Sequence, residues 1–145
     1  RAGTENVPGI VALGVIAKKM PILTPTIINL HKKFIHELSI RIPSCIINGG
    51  GVPGTINVGF KYVHREAMVA KLSQYDLYAS VGSACAKGIE PSHVLVAMKA
   101  PQEYIHGSVR FSLSKYTTEE EIDKAINIID KAYTEVRLYS KGIIP

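Results

Sequence analysis

Gly107-Ser108-Val109-Arg110-Phe111-Ser112-Leu113-Ser114 alternates without a break, with Val109, Phe111 and Leu113 on one side and Ser108, Arg110 and Ser112 on the other. Successive side chains of a strand point to opposite faces, so this segment predicts a β-strand with one face in a core and the other toward a cleft. A single arginine between serines stands on the polar side. It reads either as an ordinary surface charge or as a guanidinium on a rigid strand, a good bidentate clamp for a carboxylate.

Outward from this strand, Thr117-Thr118-Glu119-Glu120-Glu121 reads as a capping box pairing Thr117 with Glu120. Behind it Ile122, Ala125, Ile126, Ile129, Tyr133 and Val136 recur at helical spacing. The three glutamates complement the helix dipole and call for no active-site role. In the other direction Thr55 to Phe60 alternates with Ile56, Val58 and Phe60 on one side, which predicts a strand half buried against helices. His64 to Gln74 follows as a helix and Ser44 to Ile47 precedes as a strand. Gly49-Gly50-Gly51-Val52-Pro53-Gly54 lacks the Lys-Ser/Thr of a phosphate loop and reads as a turn. Helical spacing of Ile27, Leu30, Phe34 and Leu38 covers Thr26 to Ile40. A first helix is capped by Thr4 or Asn6, carries Pro8 in its first turn and runs toward Lys19, after which Pro21 and Pro25 interrupt it.

Between these elements lies Val81-Gly82-Ser83-Ala84-Cys85-Ala86. Leu77 to Val81 can pass as a strand and Pro91 suits the first position of a helix over Ser92 to Met98, so Cys85 falls in the connection. Gly82 and Gly88 relax the backbone on either side, and Ser83, Ala84 and Ala86 leave the sulfur unshielded. A thiolate is the nucleophilic form, and Lys87 favours it. On the loop alone two readings stand: a reactive thiol, or a small residue in a tight turn. Cys45, inside an apolar strand-like run, reads as a small hydrophobe.

With 145 residues, 46% hydrophobic and 20% charged, the chain matches one folded domain able to bury a core. Two cysteines and no secretory segment point to a reducing cytoplasm rather than to a disulfide. The longest apolar run, Val7 to Ala17, is broken by Pro8, Gly9 and Gly14 and is too short to span a bilayer. The formal charge is +5, yet Lys18-Lys19 and Lys32-Lys33 are short pairs without interleaved aromatics, so they read as solvated faces and not as a nucleic-acid groove. A basic surface can still meet an acidic protein partner. The five histidines show no paired ligand spacing, and no metal is expected. The chain opens on Arg1-Ala2-Gly3-Thr4 without a methionine, as though cut from something longer.

Several blocks taken together resemble the C-terminal part of cysteine desulfurases of the NifS/IscS type: Arg1-Ala2-Gly3-Thr4-Glu5-Asn6-Val7-Pro8-Gly9-Ile10-Val11, Pro53-Gly54-Thr55-Ile56-Asn57-Val58, Gly82-Ser83-Ala84-Cys85, Glu90-Pro91-Ser92-His93-Val94-Leu95, and Ser108-Val109-Arg110-Phe111-Ser112-Leu113 with Thr117-Thr118-Glu119-Glu120-Glu121-Ile122-Asp123. Their order and gaps fit as well as the blocks themselves. The resemblance implies a homodimeric pyridoxal phosphate enzyme of the class V aminotransferase group, fold type I. It would take sulfur from L-cysteine, release alanine and hold the sulfur as a persulfide. In that scheme Cys85 matches the nucleophile, Arg110 the residue holding the substrate carboxylate, and Thr4 a residue reaching the cofactor phosphate across the dimer interface. A sulfur-acceptor protein, such as an iron-sulfur scaffold, or tRNA thiolation would receive the product.

Departures from the family pattern shape the rest. The Ser-x-His-Lys segment that carries the Schiff-base lysine is not in this chain, and His31-Lys32 does not replace it, having no preceding serine. The cofactor would therefore be bound mainly by an N-terminal part, and this segment alone is expected to be inactive. Val81 stands where the family commonly has serine, and Pro21 and Pro25 fall where it runs a long helix. The expected architecture is α/β: residues 1–34 as the end of a large cofactor domain with its linker helix, and 35–145 as a small domain with a mixed or antiparallel sheet covered by helices. Two other readings share these residues: a module that relays persulfide on Cys85 without cofactor, and a selenocysteine lyase or another class V enzyme.

Overall fold

Three strands form one antiparallel sheet in the order β1-β2-β3, comprising Cys45–Ile47, Thr55–Phe60 and Ser108–Ser112. The computed structural model describes residues 2–19, 24–82 and 92–140. Helices α1 (Val7–Lys19) and α2 (Pro25–Arg41) precede the sheet. Helix α3 (Arg65–Gln74) and the short α4 (His93–Ala97) and α5 (Gln102–Ile105) lie between β2 and β3, and α6 (Glu119–Ser140) follows. The expected α/β class holds, with the sheet antiparallel throughout.

The alternation in β2 and β3 does what periodicity demands. Ile56 pairs with Phe111 and Val58 with Val109, and all four are buried with Phe60. Against that face lie Leu30, Phe34 and Leu38 of α2, Met68 and Leu72 of α3, and Ile122, Ile126, Ile129 and Tyr133 of α6. The Phe34 and Phe111 rings stand 5.4 Å apart and those of Phe60 and Tyr133 5.7 Å, tilted in both pairs. Each such side chain contributes about 1.5–3 kcal/mol by leaving water, and the Tyr133 hydroxyl avoids an unmet polar cost by meeting Ser44 Oγ at 2.7 Å.

Local capping explains where the helices begin. Asn6, of the two candidate caps, accepts the Gly9 N–H on Oδ1 at 3.2 Å. Thr24 Oγ1 accepts the Ile27 N–H at 3.3 Å, and Pro25 follows as the first residue of α2. Pro25 therefore opens a helix instead of interrupting one, because its missing N–H is one that no first turn satisfies. Pro21 lies outside the described residues. The capping box is one residue later than the sequence suggests: Glu121 N–H donates to Thr118 Oγ1 at 3.2 Å and Thr118 N–H to Glu121 Oε2 at 2.9 Å. Thr117 instead accepts the Ser114 N–H at 2.9 Å, closing the turn before α6.

Two further expectations change. Leu77 to Val81 supplies only the Ser80–Arg110 bridge and no strand. Lys33 is not simply solvated: it meets Asp123 at 2.8 Å and Glu119 at 3.7 Å, tying α2 to α6. The glycine-rich segment is the turn between β1 and β2, and Gly51, at φ +46°, would bring a Cβ to 2.8 Å from the Thr55 carbonyl. No side chain of α1 is buried. Among the described residues no helix is long and apolar enough to cross a membrane.

Candidate functional site

The sheet face opposite the core carries Asn57, Gly59, Ser108 and Arg110, because these alternate with the buried residues of β2 and β3. Gly59 has no side chain, and its place is taken by Tyr104 of α5, whose Cβ would lie 2.9 Å from a Cβ built there. Next to it the face stays open. A cleft of about 260 Å³ is lined by Asn48, Asn57, Ser108, Arg65, Gly82 and Ser92, with Val94 and Leu95 of α4 and Met98 just after it as an apolar wall.

A polar string crosses the floor of this cleft. Asn57 Oδ1 accepts from Asn48 Nδ2 and from Ser108 Oγ, each at 2.7 Å, joining the end of β1 to β2 and β3. Asn48 N–H also donates to the Asn57 carbonyl at 2.9 Å, continuing the β1–β2 ladder. Arg65 enters from the start of α3, its backbone N–H on the His106 carbonyl at 2.9 Å and its Nε on Glu66 Oε1 at 3.0 Å. Gly82 adopts φ +55°, which a glycine takes without a Cβ penalty. Ser92 precedes α4 without spending its hydroxyl on a cap.

The backbone of Arg110 is held by Ser80. Ser80 N–H donates to its carbonyl at 3.0 Å and its own N–H donates to the Ser80 carbonyl at 2.8 Å, while Asn57 is its partner in register on β2. The side chain is exposed, beside Ser108 on the cleft face. Thr4 is far from this arrangement in kind: it is exposed and leads into α1, whose residues are all exposed. Cys85 lies outside the described residues, between Gly82 and Ser92 in sequence. Thus the structure brings Arg110 to the polar face next to the cleft and does not join Thr4 to it.

Cys45 sits in β1 against the core, and burial pushes its thiol up to about 11, so it is a poor nucleophile. His31, in α2, accepts the Gly54 N–H on Nδ1 at 3.2 Å, a structural use of the ring that leaves Lys32 on an ordinary helix. No group of three His, Cys, Asp or Glu among the described residues could hold a metal ion. No lysine is among the described residues that line the cleft, so these do not by themselves supply an anchor for pyridoxal phosphate. Asn57, Asn48, Arg65 and Ser92 were not legible as site residues from sequence; the only signal was that Asn57 falls in the polar phase of the β2 alternation.

Comparison with known proteins gives this geometry a family. A cysteine desulfurase of Nostoc sp. is 45% identical over 97% of this chain, and the chain spans 37% of its length. The cysteine desulfurase NifS of Azotobacter vinelandii is 39% identical over 94% of the chain, which spans 36% of it. A solved NifS-like protein superimposes with a TM-score of 0.69 at 27% identity, over 93% of this chain and 36% of that one. The family described as Aminotransferase class-V matches residues 1–125, and the chain belongs to it.

Proposed function

We propose that this chain is the C-terminal part of a pyridoxal-phosphate-dependent cysteine desulfurase acting on L-cysteine. The observation that carries the reading is that Gly82 and Ser92, the described residues nearest Cys85 on either side in sequence, both line the cleft floored by the polar face that also bears Arg110. Similarity to proteins named cysteine desulfurase along nearly the whole chain supports it. In this reading the Cys85 thiol takes the sulfur atom of L-cysteine: a sulfur–sulfur bond forms, the carbon–sulfur bond of the substrate breaks, and L-alanine leaves. Arg110 holds the substrate carboxylate, a role suited to a guanidinium whose backbone N–H and C=O are both bonded to Ser80.

The cofactor is assigned mainly to residues outside this chain, since no lysine is among the described residues that line the cleft. Thr4 is proposed to reach its phosphate in the neighbouring subunit of a homodimer, which fits a position exposed ahead of an exposed helix. Residues 1–34 are proposed to close the large cofactor domain and provide its linker helix, with 35–145 forming the small domain. A cytoplasmic enzyme that passes persulfide sulfur to an acceptor protein for iron-sulfur cluster assembly or tRNA thiolation completes the reading.

The test is Cys85→Ser in the complete enzyme containing this chain. Alanine production coupled to persulfide should be lost, and mass spectrometry of the parent protein after turnover should find 32 Da, one sulfur atom, added at Cys85 (~32 Da is the mass of sulfur). Full turnover by the variant would reject the proposal. A cofactor-free relay module is the second reading, favoured by the lack of a lysine among the described residues that line the cleft. It predicts that the chain alone accepts sulfur on Cys85 from a persulfide donor.

A further inference from the structure

Asn57 is the residue whose placement the proposed reaction leaves unused. Arg110 spends both its backbone N–H and its C=O on Ser80, at 2.8 and 3.0 Å, so toward β2 it forms a non-hydrogen-bonded pair with Asn57. Side chains of such a pair share one face and stand closer than in the hydrogen-bonded kind, with Cβ atoms roughly 4.5–5.5 Å apart. The amide is also oriented. Its Oδ1 accepts from Asn48 Nδ2 and Ser108 Oγ, each at 2.7 Å, which uses both lone pairs. Nδ2 is thereby turned away from that string, and no described residue accepts from it although Asn57 lines the cleft. Nor is Nδ2 sealed off, since no side-chain polar atom among the described residues is buried without a partner.

Two amide donors beside a guanidinium, on a face made rigid by three strands, match the two oxygens of a carboxylate. We propose that Asn57 is a substrate-binding residue that shares the carboxylate of an α-amino acid with Arg110. The inference rests on the reading of Arg110 as the carboxylate clamp and extends it by one residue. Asn48 and Ser108 are positioning residues in this scheme, because they act only through the amide they orient.

The experiment compares two ligands in the complete enzyme: L-cysteine and cysteamine, which keeps the thiol and amine but lacks the carboxylate. Asn57→Asp preserves the acceptor that Asn48 and Ser108 need and replaces the N–H donors by a negative charge. It should weaken L-cysteine, as KM and as equilibrium affinity, by about tenfold or more, while cysteamine affinity stays within about twofold. An unchanged L-cysteine affinity, or equal losses for both ligands, overturns the proposal, since a merely structural role would not distinguish them. Should Asn57→Asp not fold, Ser108→Ala decides: it keeps the amide and removes one group orienting it, so a several-fold loss confined to L-cysteine is expected, and no loss overturns the proposal. Arg110→Lys in parallel separates the two readings. If it leaves L-cysteine affinity intact, the clamp itself is wrong, whatever Asn57 does.

Discussion

Two cysteines in one short chain are proposed to have opposite fates. Cys45 is held against the core with its thiol pushed up to about 11, which leaves on the order of one molecule in several thousand as thiolate at pH 7.5. Iodoacetamide at that pH should label Cys45 at least about tenfold more slowly in the native protein than in urea. Peptide mass spectrometry checks this, and Cys85, whose proposed role needs an attacking thiolate, should be labelled first. His31 supplies a second residue-level expectation. Desolvation lowers its pKa from 6.5, so the unfolded chain binds more protons in that region. The His31 contribution is complete above about pH 6.5 and is lost as pH falls through that value toward the lower folded one. Urea midpoints between pH 8 and 5 should therefore decline for the parent protein and lack that slope in His31→Leu. The variant should start lower, because it orphans the Gly54 N–H.

At the scale of elements, backbone crowding is sharper than any side-chain contact. A Cβ at Gly107 would collide with the Phe60 carbonyl and come within 2.9 Å of the Val63 carbonyl, and the Phe60 N–H donates to the Gly107 carbonyl at 3.1 Å. Neither side can yield without opening the join between β2 and β3. Gly107→Ala should cost more than about 3 kcal/mol in urea unfolding, and a loss under about 1 kcal/mol would contradict the crowding. Strand β2 was legible from sequence to the residue, since Ile56, Val58 and Phe60 share one buried face. Helix α5 was not, because four residues are too few to show a period. Leu77 to Val81 looked like a strand by composition, yet only Ser80 pairs with a strand while Tyr78 is left exposed. The cap of α6 slipped by one because Thr117 and Thr118 both stand three residues before a glutamate. Arg110 could be singled out as a lone charge in an apolar alternation. Asn57 could not, for its partners Asn48 and Ser108 come together only once three strands are in register.

For the molecule as a whole, α1 is the part that its own fold leaves unserved. Ile10, Val11, Leu13 and Ile16 are all more than half exposed, and apolar side chains occur all round the helix. Such a helix is normally enclosed by a larger body, which accords with the proposed cofactor domain. The chain prepared alone should self-associate, and Ile10→Glu with Leu13→Glu should shift it toward monomer in sedimentation velocity. A parent chain monomeric at 100 μM (about 100 μM is a concentration at which apolar patches associate) would contradict this. The small body itself is fastened through an inconspicuous loop residue. Gly54 gives its N–H to His31 in α2 and takes the Leu113 N–H, 2.7 Å away, just beyond β3. Its amide deuteron should consequently exchange on the slow timescale of the central strand and not at the rate of the turn around it, making one glycine an isotopic gauge of whether α2 and the sheet come apart together.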